Sequence, residues 1–129
     1  NLLIAAARMT GIHDKVLRLQ LGYDTPMGDS CQLLSVGQLK RIGLARALYG
    51  EPALVVLDEP NANLDDAGEM ALMRAISELK ANGKTVFLIV HQPHLLSLTD
   101  KVIVLDAGQI VRIGAVSKAA VASPIEQLT

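Results

Sequence analysis

Two stretches of this chain carry residue types that can do chemistry. Leu34-Ser35-Val36-Gly37-Gln38 is a small-residue turn opening a helix, and Leu54-Val55-Val56-Leu57 is an apolar strand ending in Asp58-Glu59. The first backbone N–H groups of a helix lack intrahelical partners, and the helix dipole places partial positive charge there. The Ser35 hydroxyl and the Gly37 N–H can therefore hold a terminal phosphate, although an ordinary capped helix shows the same residues. Adjacent carboxylates are costly unless a cation or a catalytic task uses them. At the carboxyl end of a strand they lie at the edge of an α/β sheet, where ligands bind. Asp58 is then placed to face Mg²⁺, directly or through water. Glu59 points elsewhere and can accept a proton from an attacking water, an assistance worth roughly 10²–10⁴ in rate. The competing reading is a solvated acidic turn before Pro60.

His91 ends the next apolar strand, Val86 to Val90, and is expected at the same sheet edge. An imidazole there can hydrogen-bond a γ-phosphate or orient the attacking water. His91 and His94 also have H-x-x-H spacing. No third ligand lies nearby in sequence and Pro93 interrupts a continuous helix, which argues against zinc. His13 reads as a surface or partly packed residue, and Cys31 as an inert small one. Gly83-Lys84-Thr85 looks like the end of G-x-x-x-x-G-K-[ST], but the first glycine of that pattern falls on Glu78. Helix precedes it and strand follows, the reverse of the required context, so it reads as a helix stop.

The elements that must position these residues follow from periodicity and turn formers. Leu2 to Met9 predicts a short helix stopped by Gly11, and His13 to Leu19 a second one. Gly22 to Gln32 holds Gly22, Pro26 and Gly28 and predicts a loop. Ser35 to Tyr49 predicts a helix ending at Gly50, with Ser35 and Gln38 at the spacing of a capping box. Ala53 to Asp58 reads as a continuous apolar strand, which suits a parallel sheet covered on both faces. Asp65 or Asp66 can cap the next helix, which runs to about Ala81 and stops at Asn82-Gly83. Thr85 to Val90 predicts a second buried strand, and a short helix starts near Pro93. Lys101 to Leu105 predicts a third strand, turning at Asp106-Ala107-Gly108 into Gln109 to Ile113. Strand–helix–strand alternation through the centre indicates an α/β class with right-handed crossovers.

Composition narrows the partners. The chain has 129 residues, enough for one domain that buries roughly two thirds of its unfolded surface. Half of the residues are hydrophobic and only 2% aromatic, which argues against nucleic-acid binding by base stacking. A net charge of −1 with scattered signs gives no electrostatic reason to expect DNA, RNA or an anionic membrane. The longest apolar stretch, Val86 to Val90, is too short to span a bilayer. A single cysteine excludes an internal disulfide and fits a reducing compartment. No leader peptide is visible, and a start at Asn1 rather than Met suggests a piece of a longer protein.

In order, these pieces resemble the C-terminal part of an ABC-type ATPase domain. Leu34-Ser35-Val36-Gly37-Gln38 resembles the L-S-G-G-Q signature, and Arg41-Ile42-Gly43-Leu44-Ala45-Arg46-Ala47-Leu48 matches the helix after it. Leu54 to Glu59 resembles Walker B with its catalytic Glu, and Asn63-Leu64-Asp65 the D-loop. His91 falls where the switch histidine is found. The resemblance covers nearly the whole chain and is weakest after Gly114. It implies an α/β, P-loop NTPase-like core, partial and without its Walker A half, with part of the helical signature subdomain. Residues 1–50 would be the helical portion, and 51–129 the Walker B to switch-histidine core with a C-terminal hairpin. Gly22-Tyr23-Asp24-Thr25 and Gly28-Asp29 are similar to the segment that meets the coupling helices of the membrane domain in ABC exporters. The run Gly-Tyr-Asp-Thr-Pro-Met-Gly-Asp, with Leu-Tyr-Gly and Asp-Glu-Pro-Asn later, looks most like bacterial type I secretion ATPases.

By that resemblance Ser35, Gly37 and Gln38 contact the γ-phosphate of ATP bound to the opposite subunit. Asp58 serves Mg²⁺, Glu59 polarises water, Asp65 works across the dimer interface and His91 senses the γ-phosphate. The implied partners are a second ATPase subunit in a head-to-tail dimer and a transmembrane domain, with no nucleic acid. The implied place is the cytoplasmic face of the bacterial inner membrane. Two departures stand out. Walker A and the Q-loop are absent from these residues, so alone they are expected neither to bind ATP well nor to hydrolyse it. Val36 replaces the usual first glycine of the signature, where a β-branched side chain can crowd the trans nucleotide. The alternatives are a non-transport ABC ATPase of the DNA-repair or ribosome-associated kind, and a non-catalytic remnant that only dimerises. The Gly22–Asp29 loop and the lack of a basic patch disfavour the former, and intact Glu59 and His91 the latter.

Overall fold

The computed structural model describes residues 1–30 and 33–116. Contacts divide it into two compact units, Asn1–Ile89 and the residues from Val90 onward.

The first unit begins with α1 (Leu2–Met9), whose N-cap Asn1 accepts the Leu3 N–H at 3.1 Å. Gly11 ends this region with φ +67°, the left-handed conformation that only glycine adopts without strain. α2 spans His13–Leu17, two residues short of the expected helix. The segment expected to be a loop instead contains a 3₁₀ turn at Gly22–Asp24 and a one-turn helix, α3 (Met27–Ser30). The Thr25 hydroxyl, donating to the Gly22 carbonyl at 2.7 Å, closes the first of these. Single turns have too few residues to show an apolar period, so the sequence pattern does not reveal them. Cys31 lies outside the described residues.

α4 (Val36–Leu48) is capped by Ser35 and followed by Gly50 at φ +80°. Its Ile42 and Ala45 pack on a core of Ala7, Ile12 and Val16 from α1 and α2. Thr10 is fully buried among them, and its hydroxyl is shared between the carbonyls of Ala6 and Ala7, each at 3.2 Å.

β1 (Leu54–Asp58), α5 (Asp66–Ala81) and β2 (Thr85–Ile89) form the strand–helix–strand unit. The strands pair in parallel, from Leu54 opposite Thr85 to Asp58 opposite Ile89. α5 lies against β2 and buries Leu72, Ala75, Ile76 and Leu79, a stripe at helical spacing. It ends as the helix-stop reading of Gly83-Lys84-Thr85 requires. Gly83 N–H donates to the Lys80 carbonyl at 2.9 Å and Lys84 N–H to that of Leu79 at 3.0 Å, a Schellman closure around a left-handed glycine.

One expectation fails here. The apolar strands were expected to be covered on both faces, but β1 buries Val55 and Leu57 while Leu54 and Val56 are 53% and 60% exposed. Phe87 and Ile89 of β2 are each 50% exposed. α5 lies against one face, and among the described residues of this unit no second layer covers the other. Hydropathy does not alternate along these strands, so the alternation of burial is invisible in sequence.

The second unit holds α6 (Pro93–Leu96) and an antiparallel hairpin, β3 (Lys101–Asp106) with β4 (Gln109–Ala115). Both hairpin strands extend beyond the expected limits. Ala107 and Gly108 have φ of +46° and +77°, the mirror-image turn whose twist matches a two-residue hairpin. Among the described residues no helix is long and apolar enough to cross a membrane.

Candidate functional site

The start of α4 is built as the sequence spacing predicts. Gln38 N–H donates to Ser35 Oγ at 3.2 Å, and Ser35 N–H donates to Gln38 Oε1 at 3.0 Å. This capping box leaves the N–H groups of Val36 and Gly37 as helix-start donors without an intrahelical partner. Ser35 and Val36 are exposed, so this end of the helix opens to solvent. Ser35→Ala is expected to lower stability by about 1 kcal/mol, read as a shift in the urea midpoint at constant slope.

Parallel pairing brings β1 and β2 to the same edge, and there Glu59 N–H donates to the Ile89 carbonyl at 2.9 Å. Asp58 shares the open face of β1 with Leu54 and Val56. Glu59 leaves the strand with φ +42°, a conformation that costs a non-glycine residue about 1–3 kcal/mol. The strand itself ends at Asp58. The chain then folds back through 59–65, with Ala62 N–H on the Glu59 carbonyl and Leu64 N–H on that of Asn61, each at 3.2 Å. Asn63 is also left-handed, at φ +60°. Both acids are exposed.

α4 grips this turn. A Cβ built on Gly37 meets the Asn63 carbonyl oxygen at 3.0 Å, so the turn presses on the helix where a side chain has no room. Lys40 Nζ reaches the Glu59 carbonyl at 3.4 Å. A cavity of about 300 Å³ lies beside the contact, lined by Lys40, Arg41 and Leu44 of α4 and by Asp58, Glu59 and Leu64.

Asp65, one of two candidates, is the residue that caps α5. Its Oδ1 accepts the Gly68 N–H at 2.8 Å and an Arg41 Nη2 hydrogen bond. The Gly68 N–H, followed by the Arg41 guanidinium, holds the Asp65 carboxyl below its ordinary value near 3.8. A folded-state value below the unfolded one adds stability that is present above the unfolded value. It is lost as pH falls through the folded one. Asp65→Asn is therefore expected to flatten the dependence of the unfolding midpoint on pH below about 4. In the sequence Arg41 shows only as part of the helix after the signature, and no local rule marks its contact with Asp65.

His13 is half-buried, with Nδ1 2.8 Å from the Tyr23 hydroxyl. Burial raises the Tyr23 phenol above its ordinary value, Arg8 opposes this and Asp14 adds to it. Tyr23 also packs on the α1–α2 core, so the Gly22–Asp24 turn is anchored to the helices. His91 is exposed and belongs to the second unit. β2 ends at Ile89 rather than Val90, so His91 lies past the strand.

Among the described residues no cluster of three His, Cys, Asp or Glu side chains is placed to hold a metal ion. Mg²⁺ fits such an edge, because it keeps several waters and takes one or two carboxylates plus substrate phosphates.

Residues 5–62 match the ABC transporter family, a span that takes in the start of α4 and the Asp58-Glu59 edge. Over 112 residues, 87% of the chain, it is 46% identical to the type I secretion system ATP-binding protein PrsD of Rhizobium meliloti. The chain is part of an ABC transporter ATP-binding domain. This ABC domain is also 38% identical over 109 residues to the ATP-dependent lipid A-core flippase of Saccharophagus degradans. Its mixed α/β fold matches a bacterial Atm1-family ABC exporter with ATP bound, with a TM-score of 0.75 and 31% identity over 88% of the chain. The chain spans 18–20% of the length of these proteins. Membership of the family implies ATP as the ligand.

Proposed function

We propose that this ABC domain hydrolyses ATP with Mg²⁺ to drive a bacterial exporter of the type I protein secretion kind. The observation that carries the reading is the edge where the Asp58-Glu59 pair meets the turn held by α4. Asp58, on the open face at the strand end, takes the metal directly or through water. Bound there, Mg²⁺ neutralises charge on the phosphate oxygens. Glu59, which leaves the strand in a left-handed conformation, accepts the proton of the attacking water. The exposed N–H groups at the start of α4, with Ser35, Gly37 and Gln38, hold the γ-phosphate of ATP on a second, head-to-tail subunit. Asp65 works at that interface, and His91 senses a γ-phosphate. The Gly22–Asp29 segment, anchored through Tyr23, receives the coupling helices of a transmembrane domain at the cytoplasmic face of the inner membrane.

The 129 residues contain no G-x-x-x-x-G-K-[ST], so taken alone they turn over no ATP. Phosphate release tests the reading, measured on the 129-residue chain and on the full-length protein carrying it, with Mg²⁺ and with a chelator. Release is expected only from the full-length protein with Mg²⁺. Release from the short chain, or none from either, overturns the proposal. The likeness to a lipid A-core flippase favours a second reading, lipid export. Stimulation of phosphate release by lipid A rather than by an unfolded secreted polypeptide would select it.

A further inference from the structure

The Arg41 side chain is only 14% exposed, yet its partner Asp65 is 71% exposed. Its Nε is buried with no hydrogen-bond partner among the described residues. A buried charge with an orphaned donor is a poor device for stability, and apolar replacements of such groups are often neutral or stabilising. The surroundings are nevertheless shaped to it. A Cβ on Gly68 would lie 3.0 Å from both Arg41 Nε and Nη2 and 2.8 Å from Asp65 Oδ1, so any larger residue there crowds the pair.

Gly37 and Arg41 are one helical turn apart on α4 and meet the same short stretch of chain. Gly37 abuts the Asn63 carbonyl, Lys40 reaches the Glu59 carbonyl, and Arg41 holds Asp65. The stretch between them, 59–65, contains two left-handed residues, Glu59 and Asn63, of which the glutamate is the strained one. Such conformations persist only where surrounding contacts over-determine them. Resting on the ATPase reading above, we propose that Arg41 is a positioning residue. Through Asp65 it clamps the 59–65 turn onto α4 and so fixes where the Glu59 carboxylate stands. The phosphate-holding end of α4 and the Glu59 edge then move as one body, and a shift of either displaces the other.

The test uses the full-length protein and reads kcat, KM for ATP and the thermal midpoint together. Arg41→Met is expected to lower kcat about tenfold or more, to leave KM within about twofold, and to leave the midpoint unchanged or raised. Arg41→Lys, which keeps the charge without the fork, should recover part of kcat. Asp65→Asn combined with Arg41→Met should be no slower than the slower single variant, because both break one contact. Gly68→Ala reaches the pair independently: its Cβ crowds Asp65 Oδ1 and the Arg41 guanidinium, so kcat is expected to fall by more than the loss of the α5 cap alone explains. Amide exchange in the 59–65 peptide should quicken in every one of these variants. Wild-type kcat in Arg41→Met, or losses that add in the double variant, overturn the inference while leaving the ATPase reading intact. Equal turnover by wild type and Glu59→Gln removes the role assigned to Glu59 and the inference with it, whereas absence of turnover in the wild-type full-length protein removes the ATPase reading.

Discussion

Glu59→Gln in the full-length protein is expected to cut ATP turnover by roughly 10²–10⁴, the range of general-base assistance, while ATP binding persists. Gln keeps the size and the hydrogen-bonding oxygen of Glu but cannot take up a proton at neutral pH. The Glu59 backbone contacts, its N–H on Ile89 and its carbonyl accepting from Ala62, involve no side-chain atom and survive the change. The turn should therefore keep its shape. Steady-state phosphate release gives kcat, and equilibrium binding of a fluorescent ATP analogue gives affinity. Weaker binding with kcat unchanged would assign Glu59 to the ground state rather than to the chemical step. Asp58→Asn should behave differently, raising the Mg²⁺ concentration needed for half-maximal turnover without abolishing turnover at saturating metal.

The largest expected loss of stability is at Leu72. It is 1% exposed in the middle of the α5 stripe, flanked by Ala75 and Ile76 at 1% and 2%. Leu72→Ala removes packed methylene groups and leaves a void, a change that costs about 2–5 kcal/mol in a well-packed core. Ala is the better helix former, so propensity cannot account for a loss. Urea unfolding should show a lower midpoint with an unchanged slope. Met70, 62% exposed on the same helix, provides the control: Met70→Ala should shift the midpoint little.

These effects differ in how they are written in the chain. Serine, glycine and glutamine at the start of α4 act through backbone rules that operate over four residues. The spacing Ser35 to Gln38 announces a capping box and the box forms. The same holds for the closure at Asn82-Gly83 and for the Ala107-Gly108 hairpin, where a left-handed residue is required within two positions. The apolar run of β1 followed by two acids likewise announces a parallel strand with its carboxylates at the edge, and β1 pairs parallel to β2. Each of these is a local contest between a few conformations, and the residue types decide it.

What lay beyond the sequence is of another kind. Nothing at positions 41, 65 and 68 shows that a guanidinium, a carboxylate and a missing side chain will share one small space. Nor does any local rule bring Gly37 against Asn63. The exposure of Leu54, Val56 and Phe87 is equally hidden, since their hydropathy matches that of buried neighbours. Such features depend on which faces α4 and α5 present to the strand edge, and that is a property of packing between segments distant in the chain. Short-range rules determine where each element starts, stops and turns. Long-range packing alone selects the contacts that tie the Glu59 turn to the helix beside it.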